Sequence, residues 1–190
     1  MTEGGWLATL ASYDTALLLI IGAQLRTKLL DALMLYVTEP QNFYLPIAAI
    51  AAYRMTLGGG GTRWRHRWLL AGGALLLLGV VDGSATMVKN LVQRARPCHV
   101  LVGVELIGSC SDSFSFPSNH AANVFALAAA VAAYDPRFGW LWFAPAALVA
   151  YSRVYLGVHY PSDVLCGALA GLAVGRAAGL LAAAPARAPD

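Results

Sequence analysis

The chain has 190 residues, of which 58% are hydrophobic and only 12% charged, where a soluble domain carries roughly 25% charged residues. Thirteen Lys and Arg, ten Asp and Glu and a mean hydropathy of +0.61 supply too little charge to cover a water-exposed surface, which excludes a disordered chain and argues for a protein facing lipid. The formal net charge of +3 is modest and its arginines bunch, so nucleic acid is a poor partner and an anionic lipid or phosphorylated substrate a better one.

The N-terminus opens acidic at Glu3, without the positive stretch that precedes the apolar core of a cleavable signal peptide, and none is expected. Residues 15–22 and 29–37 are apolar, but Arg26, Lys28 and Asp31 interrupt them. Segment 1–40 therefore reads as an amphipathic helix, or pair of helices, lying at the membrane interface, with a sixth span as the competing reading. Five stretches then qualify as spans: 42–57, bounded by Pro40 and by the glycine run 58–61; 68–92; 119–133; 138–154; and 162–183. Their length and Ala/Leu content fit helices and not barrel strands. Gly167, Ala168, Ala170, Gly171 and Gly175 let neighbouring backbones approach closely. The expected fold is an all-α polytopic bundle, with an interfacial region 1–40, a membrane core 41–184 and a solvated tail 185–190.

Arg63, Arg65 and Arg67 form the strongest basic cluster in a short loop, which places that loop in the cytoplasm. Counting through the spans then brings the 96–118 loop and the 155–161 turn together on the far side. Cys98 and Cys110 flank a polar part of that loop and can pair there, two free thiols being the alternative; Cys166 lies in an apolar run.

Ionisable residues next to spans are functional candidates. Lys89 and Arg96, seven apart, are expected two turns along one helical face, where two cations repel unless an anion sits between them. Pro117, Ser118, Asn119 and His120 stand where a polar loop enters the third span; Ser118 reads as an N-cap, and the free N–H groups there attract anions. Ser152, Arg153, His159 and Asp163 bracket the last turn, with Pro161 as a first helical residue and Asp163 placed to reach back to His159. An Asp beside a His fixes its tautomer and frees the other nitrogen as nucleophile or base, although a purely structural pair is the commoner case. Together the three groups describe phosphoryl transfer: cations collect phosphate oxygens, one histidine attacks and the other protonates the leaving oxygen. The His and acidic spacings match no zinc or magnesium pattern, so no metal or other cofactor is expected.

The residues KNLVQRARP (89–97), PSNH (117–120) and SRVYLGVHYPSD (152–163) resemble the three signatures of the type 2 phosphatidic acid phosphatase family, Lys-x6-Arg-Pro, Pro-Ser-Gly-His and Ser-Arg-x5-His-x3-Asp. The resemblance implies a metal-independent phosphatase in which His159 attacks phosphorus to form a phosphohistidine that water releases. It implies that Asp163 orients His159, that His120 protonates the leaving group, and that Lys89, Arg96, Ser118 and Arg153 bind phosphate. Asn119 departs from the family's glycine. Asn is the non-glycine residue that best tolerates a left-handed backbone, so its N–H is still expected to face the phosphate, and its side chain is a candidate substrate contact.

The leading expectation is an integral-membrane enzyme, in a bacterial inner membrane with its site on the outer, periplasmic side. Its substrate would be the terminal phosphate or diphosphate of a polyprenyl, phosphatidylglycerophosphate, phosphatidate or lipid A class lipid. The alternatives are a non-catalytic lipid-phosphate binder or transporter, which has no use for both histidines and Asp163, and a vanadate-dependent haloperoxidase, whose known relatives are soluble. Activity should show two ionisations, a neutral His159 and a protonated His120. Selectivity is assigned to the 98–116 loop and the N-terminal region, with Glu105 and Asp112 either screening anionic headgroups or facing water. The sequence gives no oligomeric state.

Overall fold

The computed structural model describes residues 4–24, 26–39, 41–42 and 62–183. The expected first span 42–57, all but its first residue, lies outside the described residues, as do the glycine run 58–61, the tail 185–190 and the side chains of the arginine cluster at 63, 65 and 67.

Among the described residues, α-helices run in the order α1 (Gly4–Gln24), α2 (Lys28–Thr38), α3 (Thr62–Val92), the single turn α4 (Pro97–Val100), α5 (Asn119–Tyr134), α6 (Phe143–Tyr155) and α7 (Pro161–Ala183). A 3-10 turn, Gly139–Trp142, leads directly into α6. No strand occurs among the described residues. Thr27 caps α2 by accepting from the Leu30 amide at 3.1 Å, and Ser118 caps α5 by accepting from the Ala121 amide.

Small residues hold the centre together. Gly167, Gly171, Gly175 and Gly179 recur every fourth residue along α7 and lie against the backbone of α5 around Ser118, Ala122, Ala126 and Ala130. A Cβ at Gly171 or Gly175 would collide with the carbonyl of Ala122 or Ala126. Where lipid gives no hydrophobic drive between helices, this close backbone approach is what contact energy remains. α3 adds Leu77 and Val81 against Ala122 and Ala126, while Ala150 of α6 meets Ala121 and Ala168. Beside this bundle, Met34 of α2 packs with Tyr155, Leu156 and Val158, which fastens the N-terminal region to the turn ahead of α7.

α3 from Leu69 onward and α7 are each long and apolar enough to cross a membrane. Both turn large apolar side chains outward: Leu75 and Leu76 are 71% and 69% exposed and Leu181 is 75% exposed. Such faces are stable against lipid and costly against water.

The expected placement of the first signature's two cations fails. Lys89 and Arg96 do not share a helical face, because α3 ends at Val92 and Gln93 takes a left-handed conformation (φ 52°). The chain then runs extended through Arg96, whose N–H groups reach the site from outside the helix axis.

Candidate active site

The 93–118 loop, the turn between α6 and α7 and the first turns of α5 and α7 converge at one end of the bundle. Arg96 and Lys89 point into this junction and are 5% and 6% exposed. Lys89 donates to the carbonyls of Phe114 (2.7 Å) and Ser115 (3.4 Å). Arg96 donates from Nε to the Ser113 carbonyl (2.7 Å), from one terminal nitrogen to Ser113 Oγ (2.9 Å) and from the other to the Val158 carbonyl (3.0 Å). The two cations thus hold the loop and the turn in register through carbonyls, which explains how like charges share a buried place.

Asp163, fully buried in the first turn of α7, is the hub. Its Oδ2 accepts from Ser115 Oγ and from the Tyr160 amide (2.9 Å), and its Oδ1 accepts from Arg94 (2.6 Å). A buried carboxylate needs this degree of pairing to remain charged. Arg94 stacks 3.7 Å from the Tyr160 ring centroid and also donates to Ser162 Oγ (2.8 Å) and, through its other terminal nitrogen, to Asp14 of α1 (2.6 Å). The Ser118 amide donates to the Asp163 main-chain carbonyl at 3.0 Å, tying the N-termini of α5 and α7 together.

His159, 1% exposed, turns Nδ1 toward this hub, 3.6 Å from Asp163 Oδ2 and 3.4 Å from Ser115 Oγ. Its Nε2 lies 3.0 Å from a terminal nitrogen of Arg96. A guanidinium can only donate, so Nε2 accepts and carries the lone pair, which leaves the ring proton on Nδ1 facing the carboxylate. Burial, helped by the positive charges of Arg96 and Arg153 and opposed by Asp163, pulls the imidazole down to about 4. The ring is therefore neutral at physiological pH, with its unprotonated nitrogen beside a cation.

His120 and Asn119 line a cavity of about 470 Å³ that follows α5 as far as Val131. Its polar end holds Asp82, Asn119 and His120, and the rest is walled by apolar side chains such as Leu127, Ala146 and Val149. Asn119 donates its side-chain amide to Asp82 Oδ1 (2.7 Å), as Asn123 does more weakly (3.4 Å). Asn119 is helical, so the expected left-handed backbone is absent: Gln93 is the one non-glycine residue with positive φ among the described residues. Arg153 donates to Thr38 of α2, and its main-chain carbonyl accepts from the His159 amide at 3.2 Å. The site thus gathers Lys89, Arg96, His159 and Asp163 directly and Ser118 through its backbone, with His120 and Asn119 on the adjoining cavity and Arg153 beneath the turn.

Comparison with known proteins decides the family, because the sequence model of the PAP2 superfamily matches residues 67–184. The chain belongs to the PAP2 superfamily. It is 38% identical over 114 residues to a decaprenylphosphoryl-5-phosphoribose phosphatase of Mycobacterium tuberculosis, covering 60% of each chain. It is also 29% identical over 165 residues to undecaprenyl-diphosphatase BcrC of Bacillus subtilis, covering 82% of this chain and 77% of that one. The chain spans about six-tenths of the length of the first of these relatives. A transmembrane PAP2 type phosphatidylglycerolphosphate phosphatase from Bacillus subtilis has a similar structure, with a TM-score of 0.65 and 27% identity over 92% of this chain and 84% of its own. The fold of Aquifex aeolicus LpxE is also similar, with a TM-score of 0.64 at 23% identity over 86% of this chain and 93% of that one.

Three PAP2 site neighbours escaped the motif reading. Ser115 lies in the loop between the first two signatures, Arg94 inside the variable stretch of the first, and Asp14 in α1, outside the matched region. Asp14 had a legible signal, a lone carboxylate directly before the apolar run 15–22. The bridge between Cys98 and Cys110 is present, with Cα atoms 6.4 Å apart. His99 sits beside it, and the three form the one cluster of possible metal ligands among the described residues; with both sulfurs bonded to each other, they do not fit a metal. Glu105 pairs with Arg26 while remaining 81% exposed, and Asp112 is exposed.

Proposed function

We propose that this PAP2 protein is a membrane phosphatase that removes the terminal phosphate of a lipid phosphate or diphosphate through a phosphohistidine on His159. The observation that carries the reading is the orientation of the His159 ring, with a lone pair on Nε2 beside Arg96 and a proton on Nδ1 toward Asp163. In the first step Nε2 attacks phosphorus and the bond from phosphorus to the leaving oxygen breaks. His120 gives that oxygen a proton, so a lipid alcohol or lipid monophosphate departs, while Asp163 stabilises the positive ring. Water then attacks the phosphohistidine, His120 takes its proton back from the water, and inorganic phosphate leaves with Nε2 free again. Lys89, Arg96, Arg153 and the main-chain amide of Asn119 would stabilise the charge spread over the equatorial oxygens, with Ser118 holding the start of α5 in place.

A lipid substrate is supported by the relatives, whose names include phosphatases of prenyl-linked and lipid A phosphates, and by the apolar cavity leading away from His120. At 1.5 Å per residue, the stretch of α5 from Asn119 to Val131 that lines the cavity is about 18 Å long, enough to take a substantial part of a hydrocarbon tail. We read the chain as an inner-membrane protein with five spans: 42–57, α3, α5, the 3-10 turn with α6, and α7. The site then opens on the outer side, where the Cys98–Cys110 bridge is chemically at home. Asp14, midway along α1, bonds the first turn of α7, so α1 meets the bundle at the level of the site, which supports an interfacial helix.

The test is phosphate release from a panel of purified lipid phosphates and diphosphates. Wild type should turn over at least one class and His159→Ala none; turnover persisting in His159→Ala removes the mechanism.

A further inference from the structure

Asp14 stands where an apolar helix has no structural need for a charge. Its side chain is 9% exposed, and it makes three hydrogen bonds into the site, accepting from Arg94, from the Ser162 amide (2.9 Å) and from Ser162 Oγ. A carboxylate so placed is costly unless its interactions repay the desolvation, and all three lie one residue from Asp163 or on the arginine that binds Asp163.

The division of Arg94 between two carboxylates suggests what Asp14 does. Arg94 uses one terminal nitrogen on Asp163 Oδ1 and the other on Asp14, while its plane is fixed over Tyr160. Guanidinium and carboxylate prefer a two-pronged pairing, in which both terminal nitrogens engage both oxygens of one partner. With Asp14 absent, the freed nitrogen of Arg94 is available to complete that fork on Asp163 and to draw Oδ2 away from Ser115, the Tyr160 amide and the Nδ1 side of His159.

We propose that Asp14 is a positioning residue for the nucleophile: by occupying one arm of Arg94 it keeps that arm off Asp163 Oδ2, which stays on Ser115 and the Tyr160 amide, facing His159 Nδ1. The N-terminal helix, outside the matched family region, thereby completes the active site. The inference rests on the reading of His159 as nucleophile.

The experiment is a double-mutant cycle in the full-length protein, with Asp14→Asn, Arg94→Gln and the pair, measuring kcat and KM for phosphate release and the inhibition constant of inorganic phosphate. Asp14→Asn should lower kcat at least tenfold, with KM and the inhibition constant within about twofold, because the phosphate-facing cations are untouched. Asp14→Asn added to Arg94→Gln should cost less than a further twofold. Should Asp14→Asn fail to fold, Ser162→Ala removes a contact shared by Asp14 and Arg94 and should lower kcat in the same sense, again without changing inhibition by phosphate. Unchanged kcat, losses that multiply in the pair, or phosphate inhibition weakening in step with kcat would each overturn the role, the last showing a merely structural prop. Turnover in His159→Ala would instead remove the nucleophile itself, and Asp14 would have nothing to position.

Discussion

The chemistry of the site turns on where one proton sits. Arg96 cannot accept a hydrogen bond, so its contact with His159 Nε2 fixes the tautomer from one side, and Asp163 fixes it from the other. Burial keeps the ring neutral, at about 4 against an ordinary 6.5. The sign follows directly: as pH falls through about 4 the ring gains a proton, Nε2 loses its lone pair and the proposed attack on phosphorus stops, while from pH 5 upward the ring stays competent. NMR of histidine-labelled protein in detergent should show His159 titrating near 4 in the absence of substrate; a midpoint between 6 and 7 would mean that the site is open to water. Asn119 belongs to the same scale. Its amide is tied to Asp82 and its backbone is helical, so it replaces the family's glycine without any left-handed conformation.

At the scale of elements, the α5–α7 pair carries the site. Ser118 and Asp163 stand at the starts of these two helices and are joined through the main chain, so the spacing of the helices sets the spacing of the proposed catalytic groups. That spacing depends on glycines: a side chain at Gly171 meets the Ala122 carbonyl and forces the backbones apart. Gly171→Leu should therefore lower stability by about 1–3 kcal/mol, read as a lower midpoint in thermal unfolding in detergent, with phosphate release falling as well. An unchanged midpoint would show that the helices do not touch there. Much of this was legible in the sequence, since the glycine spacing, the Ser118 cap, Pro161 at the start of α7 and the bracketing of the last turn by His159 and Asp163 are local signals. The contact of Arg96 with the 155–161 turn was legible only through span counting. The helix break at Gln93 was not, because nothing about a glutamine announces a left-handed residue; the run from Lys89 to Arg96 reads as continuous helix until tertiary contacts with Ser113 and Val158 draw Arg96 aside.

Across the whole molecule, the division of labour is between a bundle that faces lipid and a polar junction at one end of it. Outward leucines on α3 and α7 and the apolar cavity along α5 suit a substrate whose tail stays in the bilayer while its phosphate reaches His159. The N-terminal helices, which lack any signature, close the junction from the side: α2 through Met34 and Thr38, α1 through Asp14. The lone carboxylate at Asp14 is visible in the sequence, but its pairing with Arg94, 80 residues away, leaves no local trace, which is why the signature motifs were readable and the contacts that support them were not.

The most direct test of covalent transfer to His159 is to stop turnover of a lipid phosphate radiolabelled on its terminal phosphorus within its first cycles, quench in base and map the label. Radiolabel is expected on the peptide containing His159, stable in base and lost in acid as a phosphoramidate is, and none in His159→Ala. Label on a hydroxyl side chain, or none on a protein that is visibly turning over, would contradict it.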